Sequence, residues 1–374
     1  MLNPGATIKI CLVSWTAFMP SRWQTVLSIR KQYNVDFRVV APPCAKITPV
    51  YDPSGYLSLG SVGLKECPFF VTLIPLNDVE RPDAGFQAKA LKYFLKSYKP
   101  NIIWIHGEPL QQVTRQICQL YLFSQGPKIY QAAVDNYQPR GKGPNALLNG
   151  LLLKQVTAFL AVSQSTALAL KEELGIPEQK IVVTYLPNLP IKKVTLKNNR
   201  GFRIGFAGRI APQKGIGILL DALDLLPSEI QLFTAGDGEE EIVRHLQAHP
   251  RIHHMGMLSD LSALFSQIDL LIVPSLTTPK WKEQFGRVIA EAFSVGIPVV
   301  GSDSGSIPDV VGEAGLIYPE HSSKALSERI MALSLNQSFY QELANKATAR
   351  FKKHFSVAAH AQRLATIFNL DIKQ

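Results

Sequence analysis

Residues 269–291 read DLLIVPSLTTPKWKEQFGRVIAE. This stretch opens with a short apolar run, which predicts a buried strand, and closes with an apolar-periodic segment, which predicts a helix from about Gly286 to Gly296. Two glutamates, Glu283 and Glu291, stand around the start of that helix. A strand, a loop and a helix in this order indicate part of a βαβ unit.

The same alternation of strands and helices continues on both sides of one polar stretch. Strand patterns separated by helical patterns of about ten residues predict parallel sheets with helices on both faces. We therefore predict an α/β protein with two Rossmann-like, doubly wound domains that face each other across a cleft. The predicted boundaries are residues 1–187 for the first domain, 188–200 for a linker, 201–354 for the second domain and 355–374 for a final amphipathic helix.

The composition is typical of a well-packed globular protein. The chain has 374 residues, of which 46% are apolar and 18% charged, and this length favours two domains. Its four cysteines form no C-x-x-C pair, so neither a zinc site nor a disulfide framework is indicated. The N-terminus reads as a strand and not as a signal peptide, and no apolar run is long enough to span a bilayer. We therefore expect a cytoplasmic protein.

The positive charge is concentrated in the first half of the chain. The net charge is +10, and residues 1–200 contain 23 Lys and Arg against 11 Asp and Glu. Such a half attracts phosphates, nucleic acid or anionic lipid, although a generic solvated surface explains the charge equally well. No helical pattern shows the basic stripe with interleaved aromatic residues that is typical of nucleic-acid binders. We therefore expect no nucleic-acid partner, and we keep peripheral contact with an anionic membrane as a hypothesis.

The first strand of the second half is followed by a loop with two cations. It reads FAGRIAPQKG over residues 206–215, with Gly208 at the strand end and then Arg209 and Lys214. Ligands bind beyond the carboxyl ends of the strands in such sheets. A guanidinium and an ammonium group at one strand end can hold a diphosphate between them, although two surface cations would show the same pattern.

The helix start in the opening stretch provides a second place for phosphate. The unpaired amides around Phe285, Gly286 and Arg287 would bind phosphate without side chains, and glycine permits close approach. Glu291 lies roughly 7.5 Å further along the helix axis, about the separation of a ribose from its phosphate, so we predict that it accepts hydrogen bonds from ribose hydroxyls. Glu283 precedes the helix and would orient a sugar. Favourable placement beside a helix dipole also explains both glutamates.

The first half carries weaker candidates after its strands. His106 stands at a strand end and would contact the sugar or the acceptor, or accept a proton; a structural histidine is the alternative. Glu108 and Asn136 are acceptor-side candidates of the same kind. The loop SWTAFMPSR is apolar, and its Trp15 and Phe18 would suit a lipid-linked acceptor, although core packing explains them equally well.

Three segments resemble the second domain of group 1 retaining glycosyltransferases. FAGRIAPQKGIGILLDAL, EQFGRVIAEAFSVGIPVVGSDSGSIPDVV and GLIYPE occur in this order within residues 202–320. The resemblance implies the GT-B fold and a nucleoside-diphosphate sugar as co-substrate, with no other cofactor. It implies that Arg209 and Lys214 hold the diphosphate. It also implies that Glu283 contacts the sugar and Glu291 the ribose.

Other parts of the resemblance are weaker or depart from the family pattern. HHMGMLSD matches the segment whose backbone lines the base, which points to Met257 and Leu258 as donor-binding residues. In the family the last helix, here within 355–374, crosses back to the first domain. The loop SWTAFMPSR lacks the glycine pair that the family commonly has there, so acceptor binding is the part that transfers least. No D-x-D sequence stands in a context suited to Mg²⁺, so a metal-independent reaction is expected.

We therefore predict a retaining transferase of the hexosyltransferase type. It would move a sugar from a nucleoside diphosphate to a polysaccharide, a glycolipid or a small-molecule acceptor. Glycoside hydrolysis is disfavoured because the helix puts Glu291 on the wrong side for a pair of carboxylates that flank one bond. A phosphorylase, a nucleotide-sugar epimerase and a non-catalytic nucleotide-sugar-binding protein are the alternatives.

Overall fold

The computed structural model describes residues 7–46, 56–135, 144–191 and 201–373. Contacts divide the chain into two units. The first unit contains the described residues up to Val162, Thr166–Pro187 and the segment from Val357 onward; the second contains Ser163–Ser165 and Asn188–Ser356. Most of the predicted linker, residues 192–200, lies outside the described residues.

The first unit is built on a parallel sheet of seven strands. The strands of the whole unit, in chain order, are β1 (Ile8–Ser14), β2 (Val35–Ala41), β3 (Cys44–Lys46), β4 (Tyr56–Ser58), β5 (Val71–Leu73), β6 (Ile102–His106), β7 (Lys128–Ala133), β8 (Val156–Ala161) and β9 (Ile181–Val183). The sheet has the order β5-β2-β1-β6-β7-β8-β9, and β3 pairs with β4 in a separate antiparallel ladder.

The second unit is built on a parallel sheet of six strands. They are β10 (Arg203–Ala207), β11 (Gln231–Ala235), β12 (Ile252–His254), β13 (Leu270–Val273), β14 (Val299–Ser302) and β15 (Gly315–Tyr318). The order is β12-β11-β10-β13-β14-β15, so β10 and β13 are neighbours although β11 and β12 separate them in the sequence. The loops after β10 and β13 therefore leave the same edge of the sheet side by side.

Thirteen α-helices lie within the described residues. They are α1 (Pro20–Gln32), α2 (Ala88–Tyr98), α3 (Gln112–Leu120), α4 (Pro144–Leu153), α5 (Gln164–Glu172), α6 (Ile216–Asp224), α7 (Glu240–Ala248), α8 (Ser262–Phe265), α9 (Arg287–Ser294), α10 (Ile307–Val311), α11 (Ser323–Ser334), α12 (Gln337–Arg350) and α13 (Val357–Phe368). The helices α11, α12 and α13 follow the last strand. None of the thirteen helices has the length and apolar character that crossing a bilayer requires.

The strand β1 shows why helices cover both faces of the first sheet. Ile10 and Leu12 belong to the core that contains residues of α1 and α13, whereas Cys11 and Val13 belong to the core that contains residues of α2 and α3. Side chains alternate between the faces of a strand, so a strand that is apolar throughout is buried on both. This arrangement, with parallel strands in both units, confirms the predicted class of doubly wound α/β sheets.

The second sheet is covered in the same way. The core on one face includes residues of β10 and β13 together with leucines of α6 and α11. The helix α9 also packs against β13, and its Ile289 and Phe293 are fully buried. Full burial of one such side chain stabilises the fold by about 1.5–3 kcal/mol. The apolar run of the opening stretch is therefore the centre of the second unit.

Several short elements differ from the sequence predictions. β3, β4 and β5 have three residues each and β15 has four, too few to show a pattern in the sequence, and β9 ends at Val183 although the apolar pattern continues to Pro187. Tyr185 adopts a left-handed backbone conformation with φ of 56°, which ends the strand. The carbonyl oxygen of Thr184 accepts hydrogen bonds from side chains of α13.

Candidate functional site

The strand-end loops of the second unit are joined by backbone hydrogen bonds. The Ile210 amide donates to the carbonyl of Asp237 at 2.9 Å, and the Glu239 amide donates to the carbonyl of Ile210 at 2.9 Å. The Gly236 amide donates to the carbonyl of Gly256 at 2.8 Å. These bonds connect the loops after β10, β11 and β12, so the backbone that carries Arg209 is held in place.

Gly215 allows the loop after β10 to pack against the end of β13. Its φ is 71°, and a Cβ atom there would lie 1.7 Å from the carbonyl oxygen of Pro274. The Leu276 amide donates to the carbonyl of Gln213 at 2.9 Å, which joins the same two loops. Glycine is therefore required by both the conformation and the close approach. The result is that Lys214 stands beside the loop that carries Glu283.

Lys214 and Glu283 form an ion pair at this junction. Lys214 Nζ lies 2.6 Å from Glu283 Oε2, and the two side chains are 24% and 11% exposed. The hydroxyl of Ser275, which is itself buried, donates to the same carboxylate oxygen at 2.9 Å. The ammonium also lies 4.7 Å from the centroid of the Trp281 ring, a cation–π distance. The structure thus brings together two predicted residues and adds two that the sequence did not indicate.

Gly286 forms the turn that starts α9. It is the N-cap residue, with φ of 70° and ψ of 62°, and no side chain caps the helix. The ring of Phe285 is buried and packs edge-on against Phe355, with 5.7 Å between centroids, so this residue contributes backbone and not side chain to the turn. Arg287 is the first helical residue and is half-buried. A left-handed turn and an uncapped first turn are suited to phosphate.

The loop after β14 holds the backbone of Glu283. The Ser306 amide donates to the carbonyl of Glu283 at 2.9 Å, and the Ser306 hydroxyl donates to the carbonyl of Gln284 at 2.6 Å. A Cβ atom on Gly305 would lie 2.2 Å from the Glu283 carbonyl oxygen. The segment GSDSGS was a signal for this role, because small residues after a strand permit such close approach.

Glu291 lies on α9 and is half-buried. Burial raises the pKa of its carboxyl group, and the charge of Arg287 opposes this effect. Its carboxylate makes no hydrogen bond or ion pair with any residue in the described part of the chain. A carboxylate with these properties can accept hydrogen bonds from neutral hydroxyl groups.

The remaining donor-side residues lie on the same edge of the second sheet. Gly208 follows β10 with φ of 155°, and Arg209 is exposed, without an ion pair to a described residue. Met257 and Leu258 lie in the loop after β12; the former is 59% exposed and the latter half-buried. No group of three His, Cys, Asp or Glu residues within the described ranges is arranged to hold a metal ion.

His106 occupies the end of β6 and is buried, with 6% of its surface exposed. Its ring lies 5.1 Å from that of Trp104. Burial lowers the pKa of His106 well below its ordinary value, and the charge of Arg22 acts in the same direction. The imidazole is therefore neutral near pH 7, as both a structural histidine and a proton acceptor would be.

His360 of α13 is buried in the same unit. Its Nδ1 lies 3.2 Å from the carbonyl oxygen of Thr184, which also accepts a hydrogen bond from Arg363. Burial lowers the pKa of His360 to about 3, and the Arg363 charge adds to this effect. These contacts attach α13 to the end of β9.

Acidification should destabilise the first unit because His360 is neutral in the fold. In the unfolded chain a histidine takes up a proton near pH 6.5, so the unfolded state binds more protons below about this pH. The free energy of unfolding should therefore decrease as the pH falls from about 6.5 towards 3, by up to about 1.4 kcal/mol per pH unit for this residue. Urea unfolding at pH 7 and pH 5, followed by tryptophan fluorescence, measures this change. Trp281 belongs to the second unit, so a Trp281→Phe background leaves fluorescence that reports on the first unit.

The variant His360→Asn is the matched comparison. Its amide can donate to the Thr184 carbonyl but does not titrate. The variant should show a smaller loss of stability between pH 7 and pH 5 than the parent, and an equal loss in both proteins would contradict the assignment.

Glu108 joins two strand-end loops of the first unit. Its Oε1 accepts hydrogen bonds from the backbone amides of Val134 at 3.0 Å and Asp135 at 3.2 Å. This carboxylate therefore fixes the loop after β7 against the loop after β6. Asn136 lies outside the described residues.

Trp15 and Phe18 take different positions in the first unit. Phe18 is 1% exposed and packs against Trp23, with 5.8 Å between ring centroids, so core packing accounts for this side chain. Trp15 is half-buried, and its Nε1 atom is buried without a hydrogen-bond partner among the described residues. Pro20 begins α1, so the last three residues of this apolar loop are helical.

Comparison with known families identifies the class of the second unit. Residues 201–336 match the family model of glycosyl transferases group 1. The resemblance that was predicted from the sequence is therefore confirmed for this part of the chain.

Curated relatives carry the names of glycosyltransferases. A capsular polysaccharide biosynthesis glycosyltransferase of Staphylococcus aureus, CapM, is 24% identical over 61% of this chain and 65% of its own length. The phosphatidyl-myo-inositol mannosyltransferase of Mycobacterium leprae is 33% identical over 36% of this chain and 38% of its own length. The match spans less than two thirds of the length of these relatives.

Solved structures resemble the chain over almost all of its length. Anabaena HepE in complex with UDP-glucose has a TM-score of 0.68 at 18% identity and covers 97% of this chain and 99% of that chain. A glycosyltransferase from Rickettsia africae has a TM-score of 0.70 at 15% identity and covers 97% of this chain and 98% of that chain. The predicted GT-B fold is therefore confirmed.

Proposed function

We propose that this protein is a retaining glycosyltransferase that moves a sugar from a nucleoside diphosphate to an acceptor. The observation that carries the proposal is the Lys214–Glu283 pair beside the left-handed turn at Gly286. These residues meet at the edge of the sheet where parallel α/β folds bind their ligands. The group 1 family match over residues 201–336 supports the proposal, as do the UDP and UDP-glucose named for the HepE structures.

In this proposal each residue of the site has one task. Arg209 and Lys214 balance the charge that develops on the diphosphate as its bond to the sugar carbon breaks. The amides of the turn at Gly286 add hydrogen bonds to the same phosphate oxygens. Glu283 orients the sugar, and Glu291 accepts hydrogen bonds from the ribose. Because these groups supply positive charge and donors themselves, we propose a reaction that needs no metal.

The acceptor is proposed to be a polysaccharide or a glycolipid. By their names, one of the relatives above acts in capsular polysaccharide biosynthesis and the other on phosphatidyl-myo-inositol. Another relative is the O-antigen chain mannosyltransferase B of Escherichia coli, with 28% identity over 54% of this chain and 58% of its own length. We assign the acceptor to the first unit, where Trp15 and His106 remain candidate contacts.

A thermal-shift screen with UDP, GDP and their sugars tests donor binding. A bound donor raises the apparent melting temperature, and one of the two nucleotide series should do so. Release of the nucleoside diphosphate, with EDTA present, then measures transfer to oligosaccharide or lipid acceptors, and proton NMR of the product reports the anomeric configuration. No shift with either series would contradict the proposal, and conversion of the donor without an acceptor would indicate an epimerase.

We further propose peripheral contact between the first unit and an anionic membrane at its cytoplasmic face. Lys89, Lys92 and Lys96 of α2 are exposed, and Tyr93 between them is 77% exposed. Residues three and four positions apart lie on one face of a helix, so these side chains form a basic surface with an aromatic residue. This surface corrects the expectation that no helix carries such a stripe. Each lysine near an anionic surface contributes about 1 kcal/mol of binding free energy.

The double variant Lys92→Glu/Lys96→Glu should lose most of its co-sedimentation with vesicles that contain anionic lipid. Reversal of two charges predicts at least about a tenfold weaker partition. The double variant Lys324→Glu/Lys352→Glu, which changes two exposed lysines of the second unit, is the charge-matched control and should bind like the parent. Equal binding to neutral and anionic vesicles would contradict membrane contact of this kind.

A further inference from the structure

The ammonium group of Lys214 forms an ion pair with the carboxylate of Glu283. The proposed function assigns that same carboxylate to the sugar. We propose that, when the donor binds, Lys214 leaves Glu283 and pairs with the diphosphate instead. Glu283 Oε2 then accepts a hydrogen bond from a hydroxyl of the sugar. The inference rests on the proposed function and deepens it by describing how the same site responds to its substrate.

The geometry indicates that Lys214 is the partner that moves. The backbone of Glu283 is held by a hydrogen bond from Ser306. Its Oε2 also accepts a hydrogen bond from the hydroxyl of Ser275 at 2.9 Å. The carbonyl of Ser275 in turn accepts a hydrogen bond from Ser302. Lysine has a flexible four-carbon side chain with rotatable donors, so it can turn away while the carboxylate stays in place.

The exchange has an energetic consequence for the order of binding. Glu283 is 8% exposed, and loss of the cation leaves its buried carboxylate with one donor fewer, so a sugar hydroxyl that replaces the ammonium is favourable. A nucleoside diphosphate alone attracts Lys214 but brings no hydroxyl to Glu283. A nucleoside-diphosphate sugar brings both, so the sugar and the diphosphate should favour each other's binding. The diphosphate product, without its sugar, should bind less well than the donor.

A double-mutant cycle on nucleoside-diphosphate affinity tests the exchange. Isothermal titration with UDP and with GDP gives Kd for the parent, Glu283→Gln, Lys214→Met and the double variant. Glu283→Gln should lower the Kd of the nucleotide that binds by about 3- to 10-fold, because Lys214 no longer has a competing partner. In the Lys214→Met background the same change should alter Kd by less than about twofold. Glu328→Gln, an exposed residue of α11, is the charge-matched control and should leave Kd unchanged.

Glu283→Asp separates the exchange from simple removal of negative charge. It keeps the charge but withdraws the carboxylate from Lys214, so it should also tighten nucleotide binding. The melting temperatures of all variants show whether each is folded. If Glu283→Gln does not fold, Glu283→Asp alone tests the exchange. An equal gain from Glu283→Gln in both backgrounds, or no gain in either Glu283 variant, would overturn the exchange and leave the proposed function intact. If the folded parent binds neither UDP nor GDP, both the exchange and the proposed function are overturned.

Discussion

Replacing Lys214 with alanine should lower kcat/KM for sugar transfer by about 10²- to 10³-fold, the usual effect of losing one preorganised group that stabilises developing charge. The side chain is only 24% exposed, and its ammonium forms an ion pair with Glu283. The loss should appear mainly in kcat, because the charge on the diphosphate grows as its bond to the sugar breaks. Initial rates with the donor identified by the thermal-shift screen measure it.

Arg209→Ala separates catalysis from folding in this experiment. Lys214→Ala removes a cation from a buried carboxylate, so it should also lower stability by about 1–3 kcal/mol. Arg209 is exposed and forms no ion pair with a described residue, so its replacement should leave the melting temperature unchanged while transfer slows. Near-normal rates in both variants would refute the assignment of the two cations to the diphosphate.

Replacing Gly215 with alanine should destabilise the second unit by about 3 kcal/mol or more. The residue has φ of 71°, and the added Cβ atom would lie 1.7 Å from the carbonyl oxygen of Pro274. Because the contact is with backbone, no side chain can move aside to relieve it. The loop after β10 would separate from β13, which would also withdraw Lys214 from the site. Thermal or urea unfolding followed by far-UV circular dichroism measures the loss.

Gly217, two residues further on, is the matched control. It lies in α6, and a Cβ atom there would meet no atom within 4 Å apart from its chain neighbours and the backbone of its own helix. Gly217→Ala should therefore stabilise the protein by about 0.5–1 kcal/mol through helix propensity. Similar unfolding curves for the two alanine variants would show that the close approach at Gly215 does not constrain the loop.

The strand and helix around the site could be predicted because their pattern is local. β13 lies within the apolar run that was assigned as a strand, and α9 starts directly after Gly286. Full burial on both faces makes a parallel strand apolar throughout, and a glycine just past the last periodic residue marks the end of a helix, as Gly296 does for α9. The positions of Arg209 and Lys214 after β10 follow from the same rules.

The contacts within the site could not be predicted because they depend on the sheet order. Lys214 and Glu283 are 69 positions apart, and they meet because β10 and β13 are neighbours. The sequence assigned them to different parts of the donor and gave no indication that they pair with each other. Ser275 was missed because a serine at a strand end has no pattern that distinguishes it from a loop residue.

Short and buried elements were missed for related reasons. β5 has three residues and β15 has four, too few for a period to be recognised. Phe18 and Trp15 stand in one apolar loop, and only the packed structure shows that Phe18 is fully buried whereas Trp15 is half-buried. The sequence left core packing and acceptor binding open at both positions.

A crystal structure of the protein with the nucleoside diphosphate that raises its melting temperature tests the central claim most directly. We expect a diphosphate oxygen within hydrogen-bond distance of Lys214 Nζ, with the same phosphate group at the amides that follow Gly286. A diphosphate bound away from this turn, with Lys214 still paired to Glu283, would contradict it.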